Sequence, residues 1–267
     1  MASTLPDKLT LIALSALAYL LAVALHEHLG HATACVGLGS HVSELGAFFV
    51  DCDDTRLSSA AVRAVAVAGP LVSLLTGVVS LWLLPRLPRS APRACYFTWL
   101  LGTLGLMNAA GYLLFSGVAG VGDLGTGADG ALRGAQPEWL WRSALSVCGA
   151  ASYWLVVRIS LRLIAPHLEG SGAARARRGS RIALISYVTG AVLYLAIGLL
   201  NPYGVLIVIE SALASSLGGS SGLLWMMSGL ERQPAGLGPD LNFSRSPAWI
   251  AIAAICTLAY AIVLGPR

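Results

Sequence analysis

"LTLIALSALAYLLAVALHEHLGHATAC", residues 9–35, decides how this chain is read. The apolar run is long enough to cross a bilayer as a helix, for which about 20 residues suffice. It ends in His26, Glu27, His28 and His31, which are three of the chain's five histidines and one of its thirteen acids. Lys8 ahead of the run and the small residues "ATAC" after it have something of a cleaved leader. The run is long, however, and the polar cluster comes before the small residues, so a retained transmembrane helix is expected.

The rest of the 267 residues agrees with a membrane setting. The composition is 56% hydrophobic and only 11% charged, where a soluble domain carries about 25% charged residues. Further apolar stretches of spanning length lie at 60–84, 94–117, 139–164, 182–200, 204–229 and 247–265. The fold class expected is therefore all-α, a polytopic transmembrane bundle of about seven spans. The fifth and sixth are parted only by "NPYG" at 201–204, a tight-turn signal.

Charge in the loops sets an orientation. The second loop, "PRLPRSAPR", carries Arg86, Arg89 and Arg93 and no acid, and the stretch around "ARARRGSR" carries Arg175, Arg177, Arg178 and Arg181. The first loop holds Glu44, Asp51, Asp53 and Asp54, and the third holds Asp123, Asp129 and Glu138. By the positive-inside rule the N-terminus is cytoplasmic and the His cluster lies toward the external face. A net charge of +4 spread over short loops argues for topology and against nucleic-acid binding.

None of the five cysteines forms a CxxC pair, which argues against a thiolate metal site. Cys95, Cys148 and Cys256 sit in apolar segments and are expected to be buried free thiols, while Cys35 and Cys52 could meet across the first loop. The acidic "DCDD" at 51–54 lacks calcium-loop spacing and reads as a solvated loop. The small-residue stretch "SSLGGSSG" at 215–222 reads as close helix packing.

Ionisable residues inside a membrane segment are costly and point to function. Two histidines on one helix face can hold zinc while an adjacent glutamate serves as general base, as in HExxH. Here His26 and Glu27 begin the pattern, but the matching His31 is at i+5. On a regular helix those two side chains diverge by roughly 140°. A π-bulge would bring them onto one face, eased by Gly30. On an undistorted helix His28 and His31, at i+3, are the alternative pair. Gly117–Gly130 contains six glycines and is expected to be an irregular loop, and Asp123 within it comes to the same membrane face as the His cluster. Glu210, in the sixth apolar stretch at a similar depth, is a candidate second partner of a ligand histidine or a cavity-lining group.

With these residues in view, "HEHLGHATA" resembles the HExxH helix of the site-2 protease family of intramembrane metalloproteases, with one residue inserted. "AGPLVSLLTG" at 68–77 resembles that family's A-G-P-L-x-N segment, with Ser73 where Asn is usual. "MNAAGYLLFSGVAGVGDLG" at 107–125 stands where the family brings in an aspartate, and Asp123 is the match. The resemblance covers residues 9–130. It implies a three-helix catalytic core within residues 1–135, with 136–267 adding helices to the same bundle. It further implies a Zn2+ cofactor held by His26, His31 and Asp123, with Glu27 as general base and Asn108 near the substrate backbone. The activity it implies is cleavage of peptide bonds of a membrane-protein or peptide substrate at a bacterial cytoplasmic membrane. A zinc amidase acting on lipid amides, a metal transporter or sensor, and a client-binding protein that does not cut are the alternatives.

Overall fold

The computed structural model describes residues 5–202, 205, 218–236 and 241–266. Among these, six helices are long and apolar enough to cross a membrane: Lys8–Gly37, Ser59–Arg86, Pro92–Ala119, Glu138–His167, Gly172–Gly198 and Pro247–Leu264. The first is composite. It runs as α1 (Lys8–Ala24), a π-helical segment (Leu25–Ala32) and a final α-helical turn, α2 (Thr33–Gly37). The α-helical parts of the others are α3 (Ser59–Leu83), α4 (Pro92–Ala119), α5 (Glu138–Ile164), α6 (Gly172–Gly198) and α7 (Pro247–Leu264).

Local chemistry fixes several of the ends. Asp7 caps α1 by accepting the Thr10 amide, and Ser58 caps α3 by accepting that of Ala61, each satisfying a donor the helix cannot satisfy itself. The Thr10 amide, and next to it the Thr10 hydroxyl and Arg245, hold the Asp7 carboxyl below its usual range. α4 and α7 begin with Pro at the first position, where a missing N–H costs nothing. α4 stops at Gly120, whose φ of +80° is a left-handed cap that a residue with a Cβ adopts poorly.

Helix α4 runs through the middle, packed against α3, α5 and α1. Trp99, Tyr96, Leu100, Leu104 and Met107 on it are almost fully buried, together with Tyr19 of α1 and Tyr194 of α6. Several buried polar groups there find partners, which apolar surroundings make worthwhile. The Tyr96 hydroxyl lies 2.6 Å from both Ser15 and Ser186, and the Trp99 indole donates to the Ser160 carbonyl at 3.0 Å. Helix α7 lies along α1 and is otherwise almost wholly exposed.

Three expectations need correction. The stretch from Gly172, read as a loop because of its arginines, is the start of α6; Ala and Arg are strong helix formers. Its Arg175 is buried and donates to the carbonyls of Leu168, Pro234 and Ala165. The first loop is not plain coil: β1 (Val42–Leu45) pairs antiparallel with β2 (Val50–Cys52), with Leu45 opposite Val50 and Val42 opposite Cys52. Cys148 and Cys256 are exposed, and of the three free thiols only Cys95 is buried.

The expected span at 204–229 falls largely outside the described residues, as do Glu210 and Ser215. Its described end is a short helical turn (Gly218–Ser220) followed by 3-10 turns at Ser221–Leu224 and Met226–Arg232. Gly222 sits so close to α4 and α5 that a Cβ would lie 2.7 Å from Met107 and 3.0 Å from the Tyr153 hydroxyl. The close packing expected of this stretch is present at its described residue Gly222.

Candidate metal centre

The π-helical segment Leu25–Ala32 is the origin of the site. Its wider turn brings residues five apart onto one face. His26 and His31 accordingly point the same way, with their Nε2 atoms 3.3 Å apart. Both are buried, as is Glu27.

Helix α3 crosses this segment at a contact only glycine permits. A Cβ on Gly30 would lie 2.6 Å from Gly69 Cα, and a Cβ on Gly69 would lie 2.2 Å from His31 Nε2 and 2.8 Å from His26 Nε2. The α3 backbone therefore forms one wall of the site. It also anchors both rings: the Val65 carbonyl is 2.8 Å from His31 Nδ1, and Ser73 Oγ is 2.9 Å from His26 Nδ1. Tyr112 of α4 stacks on the His26 ring at 4.6 Å and 13°.

The third corner comes from the glycine-rich loop after α4. Asp123 Oδ2 lies 3.1 Å from His26 Nε2 and 3.4 Å from His31 Nε2. The Asp123 side chain keeps 22% of its surface exposed. Burial by itself would raise the Asp123 carboxyl, but His31 and His26 beside it outweigh that and hold it below the usual carboxylate range.

The donor set fits a cation. The Val65 carbonyl can only accept, so His31 Nδ1 carries a proton and Nε2 of the neutral ring is a lone pair. That lone pair, a carboxylate oxygen and His26 Nε2 converge with edges of 3.1, 3.3 and 3.4 Å. Ligands about 2.0–2.1 Å from a tetrahedral zinc are separated by about 3.3–3.4 Å, so the three atoms match one face of such a tetrahedron. Glu27 belongs to the same cluster, its ligand atom within 4.8 Å of those of both histidines. Its carboxylate is 4.0 Å from His26 Nε2, farther than Asp123. That position suits a base beside the cation better than a ligand.

The other candidates fall elsewhere. His28 turns away: its Nε2 is 3.1 Å from the Gly46 carbonyl, and its ring stacks on Tyr260 at 6.1 Å. Asn108 is buried one turn before Tyr112 on α4 and looks at the Gly218–Ser220 turn, where a Cβ on Gly219 would be 3.3 Å from its Oδ1.

Beside the π-helical segment, Cys35 and Cys52 form a disulfide that ties α2 to β2. The turn between β1 and β2 tucks Ala47 and Phe48 into the bundle, with Phe48 edge-on to Tyr194 at 5.1 Å and the Tyr260 hydroxyl donating to the Ala47 carbonyl at 2.7 Å. Ser73, Tyr112 and the Val65 carbonyl were not expected at the site. Ser73 had a signal, since it stands where the resembled segment has Asn, but neither a lone tyrosine nor a backbone carbonyl announces itself. Comparison with known protein families, curated proteins and solved structures returned no match.

Proposed function

We propose that the chain is a zinc-dependent hydrolase of the membrane, similar to the site-2 proteases, that cuts peptide bonds in or near the bilayer. The observation carrying this reading is the triangle of His26 Nε2, His31 Nε2 and Asp123 Oδ2, whose edges match a tetrahedral face. A bound zinc would acidify a water and polarise a carbonyl there. Glu27 places its carboxyl at the rim of the triangle, where it would take a proton from such a water and return it to the leaving nitrogen. Val65 and Ser73 fix the two imidazoles so that their Nε2 atoms face inward, the arrangement that keeps ligand histidines oriented. The Cys35–Cys52 disulfide beside the site supports an external, oxidising face for it, in line with the acidic first loop.

The test is metal content of the detergent-purified protein with single substitutions. About one zinc per chain is expected, lost in His26→Ala, His31→Ala and Asp123→Ala and kept in Glu27→Gln. A quenched transmembrane peptide should then be cut by the parent and not by Glu27→Gln. Cleavage of a ceramide-like amide in place of the peptide would shift the assignment to lipid amides. A folded, zinc-replete protein without metal would end the enzyme reading.

A further inference from the structure

The third corner of the site rests on a glycine-rich loop. Asp123 lies between Gly120, Gly122 and Gly125, and Gly120 and Gly122 have φ values of +80° and +83°. Glycine leaves a chain more freedom than any other residue, yet a metal site needs each ligand within about 0.2 Å of its place. Contacts from outside the loop add to its own backbone hydrogen bonds.

Helix α5 supplies them on both sides of Asp123. Before it, Arg142 donates from Nε to the Gly117 carbonyl at 3.2 Å and from Nη2 to that of Val118. These are last-turn carbonyls of α4, which lack partners within the helix, and a cation there also favours the helix dipole. After Asp123, the Thr126 hydroxyl donates to Glu138 Oε1 at 3.1 Å, and Arg142 Nη1 meets the same oxygen at 3.4 Å. The Thr126 and Gly127 amides return to the Gly120 carbonyl at 3.1 and 3.0 Å, and the Ala131 amide donates to the Asp123 carbonyl at 2.8 Å. The entry and exit of the loop are thus fastened to one ion pair one turn apart on α5.

We infer that Arg142 and Glu138 are positioning residues that brace the glycine-rich loop and hold Asp123 at the metal. This rests on the metal reading above. As a half-exposed ion pair the couple is worth little to stability; its effect is on where Asp123 stands. Lysine cannot replace the arginine fully, since a point charge cannot span two carbonyls and a carboxylate as a guanidinium does.

Zinc affinity by chelator competition, with amide hydrogen exchange of residues 120–127 in the metal-free protein, tests this. Arg142→Ala should bind zinc roughly 10- to 100-fold more weakly, the range for lost supporting contacts. Arg142→Lys should fall between it and the parent. Loop amides should exchange faster in Arg142→Ala with the α3 and α4 amides unchanged. Unchanged affinity, or unchanged exchange of the loop amides, in a folded Arg142→Ala protein would overturn the brace while leaving the metal site intact. A parent protein that binds no zinc would remove the metal reading and the brace with it, and that result is visible before any variant is made.

Discussion

Gly69→Ala offers a sharp test of the geometry around His26 and His31. A Cβ there would lie 2.2 Å from His31 Nε2, 2.7 Å from its Cε1 and 2.8 Å from His26 Nε2. Ordinary heavy-atom contact begins near 3.5 Å, so the His31 nitrogen would have to retreat by about 1.3 Å. A metal ligand tolerates about 0.2 Å. Helix α3 cannot back away, because the Gly30–Gly69 crossing fixes it and the Val65 carbonyl holds His31 from the same helix. The ring must give, and one of three ligands leaves. We expect zinc affinity to drop at least about 100-fold, or about 2.8 kcal/mol.

Folding should suffer far less from that change. Ala gains about 1 kcal/mol of helix propensity over Gly, against about 1–3 kcal/mol for overpacking. Gly77→Ala is the control: its Cβ would strike Leu106 at 2.6 Å, well away from the ligand atoms. Gly77→Ala should lower the thermal midpoint and leave zinc affinity as it was. Zinc bound at parental strength by Gly69→Ala, in a folded protein, would refute the ring placement on which the site depends.

Three further outcomes are expected. His28→Ala should retain zinc, because His28 reaches Gly46 and Tyr260 and not the triangle; loss of metal there together with retention in His26→Ala would move the site to the His28–His31 pair. Ser73→Ala should weaken zinc about 10-fold by freeing the His26 ring, and chelator competition giving the parental value would remove Ser73 from the site. Cys35 and Cys52 should resist alkylation in the unfolded chain until a dithiol is added, whereas Cys95, Cys148 and Cys256 should label there without it. Reduction should make residues 38–57 sensitive to protease, and an unchanged digestion pattern would show that the disulfide does not hold the hairpin.

The long apolar helices were legible because length and apolarity are read directly from the sequence. Which side of each helix faces lipid was not. Lipid is as apolar as a leucine core, so Cys148 and Cys256 looked no different in sequence from the buried Cys95. The His26–His31 pairing was legible through a conflict: two ligands at i+5 share a face only if the helix turns wider, and the structure has that wider turn at Leu25–Ala32. The β-hairpin was missed because "GAFF", at 46–49, is too short for a periodic signal and lies in an acidic loop. Its burial against Tyr194 and Tyr260 depends on residues 140 or more positions away. The Arg142 contacts were hidden for the same reason, since nothing local says that an arginine on α5 meets the carbonyls of Gly117 and Val118, 25 and 24 positions away.

The π-helical segment also permits a test by deletion. Such a segment is an α-helix with one residue too many, and it survives mostly at functional sites because it is less favourable than the regular helix. Removing Leu29 makes the motif H-E-H-G-H, with the two histidines at i+4. On a regular helix that spacing puts both on one face, and the helix on either side keeps its phase. Leu29 suits the deletion because it is 52% exposed, whereas His28 holds Gly46 and Gly30 makes the crossing with α3. If the extra residue serves only to bring His26 and His31 together, the shortened protein should fold, keep the Cys35–Cys52 disulfide and bind about one zinc, with a thermal midpoint no lower than the parent's. A folded protein that forms the disulfide yet binds no metal would show that the wide turn sets more than the spacing of the histidines. The carboxylate of Glu27, which lies inside the same turn, would then be the first group to examine.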